Sequence, residues 1–180
     1  MLDLKTLARD SKASQDTFEM WQLLELLQQL EPQVIVEIGI DKGHSMATWK
    51  EAFSPEILIG INENMDHFDY KANHFADDVI VADSHLPSTY NELAKRLAGE
   101  QIDFLFIDGD HTYNGVRQDY EMYAQLVRPG GVIAFHDTMR VPGQFEGVEV
   151  MQLFQELRMV NYSLEFWGGG TSPGTGVIVK

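Results

Sequence analysis

Residues 34–45 read Val-Ile-Val-Glu-Ile-Gly-Ile-Asp-Lys-Gly-His-Ser, and this stretch decides the fold. The apolar run opening at Val34 suits a short strand buried on both faces, and it stops at Gly39. Gly39 and Gly43 allow the backbone to turn tightly into a helix expected from about Gly43 to Phe53. Upstream, Phe18, Trp21, Leu24, Leu27 and Leu30 fall near helical spacing, which predicts a helix from about Ser14 to Leu30, ended by Pro32.

Downstream the alternation repeats. Ile57–Ile61, Val79–Ala82, Ile102–Ile107 and Val132–Phe135 read as strands. Asn64–Ala76, Tyr90–Leu97, Val116–Val127 and Val148–Leu157 read as helices, and Pro129-Gly130-Gly131 as a turn. Between Tyr162–Trp167 and Gly176–Val179 there is no room for a helix, so these two strands should pair as an antiparallel hairpin. The expected class is α/β: a Rossmann-like, mostly parallel seven-stranded sheet with helices on both faces and a C-terminal antiparallel hairpin. With no repeats and no low-complexity linker, residues 1–180 read as a single domain, residues 1–31 forming its N-terminal helical segment.

Composition narrows the function classes. Hydrophobic residues at 44% and charged residues at 23% are ordinary for a globular chain. The 28 acidic residues outnumber the 13 basic ones, and a formal charge of −15 repels phosphate backbones and anionic lipid, so no nucleic-acid partner is expected. No apolar run approaches the roughly 18 residues of a membrane span. The start, Met-Leu-Asp-Leu-Lys, lacks the order of a signal peptide, and a cytoplasmic protein is expected. Without cysteine, disulfides and thiolate metal sites are excluded.

Ligands of such sheets bind beyond the carboxyl ends of the strands, where loops begin at Glu37, Asn62, Asp83, Asp108 and His136. A dinucleotide fingerprint needs glycine where Asp41 stands, so NAD and FAD are disfavoured. A cationic ligand such as S-adenosylmethionine tolerates these acids, with Glu37 placed to attract its ammonium end. Asn62 and Glu63 stand where ribose hydroxyls are held in nucleoside-binding folds, though a solvated loop start is the plainer alternative. Asp83 and Ser84 are assigned to the adenine edge by position.

Phe106-Ile107-Asp108-Gly109-Asp110-His111-Thr112-Tyr113 gathers two carboxylates and an imidazole, and the next strand ends in His136-Asp137-Thr138. If strands four and five are neighbours, Asp108, His136 and Asp137 converge as a site for Mg²⁺ or Mn²⁺. The alternative is a polar cluster held by hydrogen bonds, with Asp110 capping the helix that begins near Tyr113.

These motifs, with the Arg-Pro-Gly-Gly-Val-Ile-Ala-Phe-His-Asp-Thr run that follows, resemble the class I S-adenosylmethionine-dependent methyltransferases. The branch is that of the macrolide sugar O-methyltransferases and cephalosporin hydroxylase-like proteins, and the resemblance spans Val34 to Thr138. It implies that Glu37, Gly39 and Gly43, with Ser45 in the same turn, hold the methionine part of the cofactor. It further implies that Asn62 or Glu63 holds the ribose and that Asp108, His136 and Asp137 bind the metal; by position, Asp83, Ser84 and Asp108 are expected to border the cofactor. His111, three residues beyond Asp108, stands in the place of the base. Asn62 and His136 depart from the pattern, each standing where an acid is usual. The implied activity is O-methylation of a small hydroxylated acceptor; the rival is a non-methylating cofactor- or metal-binding protein on the same fold. The N-terminal helix and Met139–Gly147 are free to act as lids. Trp167 and Gly168-Gly169-Gly170 either line the same mouth or merely join two strands, and a homodimer would complete a shallow pocket.

Overall fold

Aspartates start the first two helices. Asp3 accepts hydrogen bonds from the Lys5 and Thr6 amides ahead of α1 (Leu4–Asp10), and Asp16 accepts from the Phe18 amide ahead of α2 (Thr17–Leu30). The computed structural model describes residues 2–69, 79–139 and 147–180. After α2 come β1 (Val34–Ile38), α3 (His44–Phe53), β2 (Ile57–Asn62), β3 (Val79–Val81) and α4 (Pro87–Leu97). The second half carries β4 (Ile102–Ile107), α5 (Tyr113–Tyr123), β5 (Val127–His136), α6 (Val150–Leu157), β6 (Tyr162–Phe166) and β7 (Thr175–Val179).

The seven strands form one sheet in the order β3-β2-β1-β4-β5-β7-β6. Strands β1 to β5 pair in parallel, and β7 runs antiparallel to both β5 and β6. Alternation along each strand divides the core in two. Val34, Val36, Ile38, Leu105, Ile107 and Phe135 pack toward Leu93 of α4, Val116 of α5 and Leu153 of α6. Ile35, Phe104, Phe106 and Ala134 pack toward Leu7 of α1, Leu24 of α2 and Trp49 of α3. Trp49 is fully buried and meets Phe104 and Phe106 edge-on, with ring centroids 5.4 and 5.8 Å apart. Burying side chains of this size contributes roughly 1.5–3 kcal/mol each, which is what holds α3, and the turn before it, against the sheet. Because β1, β2, β3, β4 and β5 are parallel, their carboxyl ends share one edge, and all five polar loops open there.

Several elements differ from expectation. Helix α1 adds Leu4, Leu7 and Ala8 to the core. Pro129-Gly130-Gly131 lies within β5, where the β4–β5 register shifts between Ile102 and Phe104, and the Gly130 amide bonds Lys180. Helix α5 ends at Tyr123, and one 3₁₀ turn, Ala124–Leu126, leads into β5. Thr112 caps α5 through the Gly115 amide, while Asp110 accepts from the Thr112 amide one step earlier. The helix expected over Asn64–Ala76 is not formed over 64–69, and its remainder lies outside the described residues, as does most of the Met139–Gly147 segment. No helix among the described residues is long and apolar enough to cross a membrane.

Candidate functional site

A cavity of about 930 Å³ opens along the shared strand edge. Gly39, Asp41, Asn62, Glu63, Asp83 and Ser84 line one side of it; Asp108, His111, His136 and Asp137 line the other. Ser14 and, from the loop between β6 and β7, Thr171 and Pro173 add to the wall.

At the first loop, Gly39 has φ +83°, and a Cβ there would collide with the Asp108 carbonyl. The glycine therefore serves first to let the ends of β1 and β4 close on each other. Glu37, Gly43 and Ser45 are not among the residues lining the cavity. The Glu37 side chain is fully buried and accepts hydrogen bonds from the Ser45 hydroxyl and from Trp49 Nε1, the latter at 2.7 Å. Burial pushes its carboxyl up to about 8, outweighing the two donors that favour the charged form. Asp41 bonds His67 Nδ1 at 3.0 Å.

At the second loop, Asn62 spends its amide on the fold: Oδ1 accepts from the Ile40 amide at 2.9 Å, and Nδ2 donates to the Asn64 carbonyl. Glu63 is exposed and lines the cavity. At the third, Asp83 Oδ1 accepts from the His85 amide at 2.8 Å, and the Ser84 carbonyl accepts from the Tyr123 hydroxyl. His85, which also lines the cavity, places Nε2 3.3 Å from the buried Asp119. Burial raises the Asp119 carboxyl to about 6 against the opposing pull of Ser84 and His85.

The fourth and fifth loops bring together the groups their spacing suggested. Asp108 Oδ1 lies 3.1 Å from His136 Nδ1 and 3.4 Å from His111 Nε2, and His111 Nδ1 lies 2.9 Å from Asp137 Oδ2. Asp137 takes a left-handed φ of +61°, a conformation aspartate tolerates better than most residues, and so breaks the strand direction at the site. Burial would raise Asp108, yet His136 and His111 overcome it and bring the carboxyl down to about 2. Hydrogen bonds to Asp108 and Asp137 raise His111 to about 10 despite burial. Burial lowers His136, but Asp108, Asp137 and Glu19 prevail and lift it to about 9. Asp108, His111 and Asp137 each offer a ligand atom, all within 4.8 Å of one another. His136 stands beside this trio with Nδ1 turned to Asp108, while its Nε2 is buried without a hydrogen bond.

Two contributors escaped the sequence reading. Gln15 Nε2 donates to Asp108 Oδ2 at 2.8 Å. Glu19, fully buried on α2, accepts from the Gly168 amide at 3.3 Å, the Gly174 amide at 3.0 Å, Thr175 Oγ1 at 3.3 Å and the Ser172 hydroxyl. It thereby pins both ends of the loop that carries Thr171 and Pro173. Trp167 lies outside the lining, half exposed, with Nε1 on the Ser172 carbonyl. Polar residues on an otherwise amphipathic helix read as its solvent face, and nothing local marks them as reaching across the sheet.

The model of the methyltransferase domain matches residues 36–138. A rhamnosyl O-methyltransferase of Mycobacterium tuberculosis is 22% identical over 149 residues, which are 74% of this chain and 61% of that protein. The chain spans between 17% and 61% of the length of the curated relatives it matches. An O-methyltransferase from Bacillus cereus in complex with SAH superposes with a TM-score of 0.66 at 20% identity, covering 98% of this chain and 88% of that one. The MycE methyltransferase of the mycinamycin biosynthetic pathway, in complex with Mg, SAH and mycinamycin VI, gives a TM-score of 0.65 at 19% identity and covers 99% and 53%.

Proposed function

The chain belongs to the methyltransferase domain family, and on that premise we propose that it is an S-adenosylmethionine-dependent O-methyltransferase that uses Mg²⁺ or Mn²⁺ to methylate a small hydroxylated acceptor. The observation that carries this reading is the Asp108, His111 and Asp137 cluster bordering a cavity that extends to the loops after β1, β2 and β3. In this reading the cofactor lies along Gly39, Asp83 and Ser84. Since Asn62 is already spent on the Ile40 and Asn64 backbone, Glu63 accepts from the ribose hydroxyls.

Two carboxylates and an imidazole with converging donor atoms suit a hard or borderline dication. Asp108, His111 and Asp137 would hold it, and when bound it would lower the pKa of an acceptor hydroxyl. The protein's own task is alignment and proton removal. A nitrogen that His111 gives to the cation cannot also take the acceptor proton; if His111 is instead left off the cation, with Nδ1 on Asp137, a bound cation that offsets Asp108 and Asp137 would free Nε2 to act as the base. Bound S-adenosylmethionine would supply the methyl group to the deprotonated hydroxyl oxygen as its own C–S bond breaks toward sulfur, so that the methyl ether and S-adenosylhomocysteine would result. Holding both reactants in that geometry supplies much of the acceleration. The likeness to a rhamnosyl O-methyltransferase and to MycE with mycinamycin VI supports a sugar-bearing acceptor, whose vicinal hydroxyls chelate a dication well.

The test is S-adenosylhomocysteine formation from S-adenosylmethionine, Mg²⁺ and a panel of rhamnosides, macrolide sugars and catechols. Product that appears with metal and stops on chelation supports the reading; failure to bind S-adenosylmethionine at all refutes it. His111→Ala separates two roles for the imidazole. A base should lose roughly 10²–10⁴-fold in turnover with metal affinity unchanged, whereas a ligand should lose metal in proportion to activity.

A further inference from the structure

Asp108 divides its two oxygens between unlike partners. Oδ1 faces the two histidines, while Oδ2 accepts from Gln15 Nε2 at 2.8 Å. Gln15 precedes α2, whose cap is Asp16, and reaches a residue 93 positions away in the chain. A carboxylate accepts only from the nitrogen end of an amide, so chemistry sets the orientation of this side chain. That orientation leaves Gln15 Oε1 buried with no hydrogen bond. A residue serving only to fill space would avoid such an orphaned acceptor, since an apolar side chain of equal length packs without it.

We propose that Gln15 is a positioning residue of the metal site: it grips Asp108 by Oδ2 and so keeps Oδ1 turned toward His111 and His136. The inference rests on the reading of Asp108, His111 and Asp137 as cation ligands. Gln15 suits the task because its donor is neutral. A lysine or arginine there would cancel the Asp108 charge and compete with a dication, and an apolar residue would leave the carboxylate free to rotate. Partners that orient metal-binding side chains in this way commonly govern affinity as strongly as weaker ligands do.

The experiment titrates Mn²⁺ alone into the metal-free 180-residue protein and follows the free ion by electron paramagnetic resonance. Gln15→Met keeps the side-chain length and removes the donor; it should weaken Mn²⁺ binding by roughly 10–100-fold. Gln15→Lys, which brings a charge, should weaken it further. Affinity for S-adenosylhomocysteine and the melting temperature should stay at wild-type values in both. If the wild type takes up no Mn²⁺, the metal reading falls and this inference falls with it. If the wild type binds and Gln15→Met binds equally well, the inference alone is overturned. A parallel loss of Mn²⁺ affinity, S-adenosylhomocysteine affinity and melting temperature would also overturn it, because Gln15 would then be holding the fold.

Discussion

Replacing Glu37 with glutamine should change how stability depends on pH. The Glu37 carboxyl is fully buried, and burial raises it from 4.5 to about 8. The folded protein therefore holds a proton that the unfolded chain has already lost above about pH 4.5. Stability is fully present below that value and declines as pH rises toward 8, at about 1.4 kcal/mol per pH unit. Glutamine keeps the shape, accepts from Trp49 Nε1 and donates to the Ser45 oxygen, but it does not titrate. Other groups titrate in both proteins and cancel in the comparison. The unfolding free energy of Glu37→Gln minus that of wild type should then grow by roughly 2–3 kcal/mol between about pH 5.5 and pH 7.5 and level off above 8. Urea unfolding followed by circular dichroism at several pH values measures this. A difference independent of pH would mean that Glu37 is ionised in the fold, refuting the reasoning from burial. The same variant tests the cofactor role: with Glu37 outside the cavity lining, S-adenosylhomocysteine affinity should change little.

Gly39→Ala should destabilise the protein by about 3 kcal/mol or more, since it forces a Cβ against the Asp108 carbonyl at positive φ; an unchanged melting temperature would contradict the close approach of β1 and β4. Asp137→Ala should abolish Mn²⁺ uptake yet retain S-adenosylhomocysteine binding, as calorimetry of each ligand would show. Asp108 and Asp137 keep metal-free His111 protonated near neutrality, with a pKa of about 10, so cation uptake there should expel a proton. Mn²⁺ affinity should then rise about tenfold per pH unit near neutrality, and a flat profile would remove His111 from the ligand set. Calorimetry should also find S-adenosylhomocysteine binding far tighter than NAD, because Asp41 lines the cavity where pyrophosphate would pack.

The sheet was readable because each central strand is an apolar run that ends in a polar residue, and because the closing hairpin leaves no room for a helix. The convergence of Asp108, His111, His136 and Asp137 followed from β4 and β5 being neighbours. Helix α1 was not readable, since its seven residues span too few turns to show a period. The Pro129-Gly130-Gly131 motif carries a turn's composition, and only pairing with β4 and contact with Lys180 keep it inside a strand. Glu37 stood out as an acid at a strand end, but its burial depends on Trp49, one helix later, folding back over it. Gln15 and Glu19 act over very long sequence separations, and no local pattern encodes such contacts.

The clasp made by Glu19 bears on how the selectivity of the cavity can diversify. A single carboxylate receives the backbone amides of Gly168 and Gly174, so the two ends of that loop are fixed while its tip, at Gly169 and Gly170, has open space around it. A loop closed at its neck tolerates insertion cheaply, because doubling the length of a flexible segment costs only about 0.6 kcal/mol in closure entropy. Residues added between Gly169 and Thr171 would extend the cavity wall without disturbing β6, β7 or the Asp108 and Asp137 carboxylates. The segment is built like an exchangeable cassette, and grafting loops of different length and polarity onto the Glu19 anchor would be a direct route to changing which ligand the cavity admits.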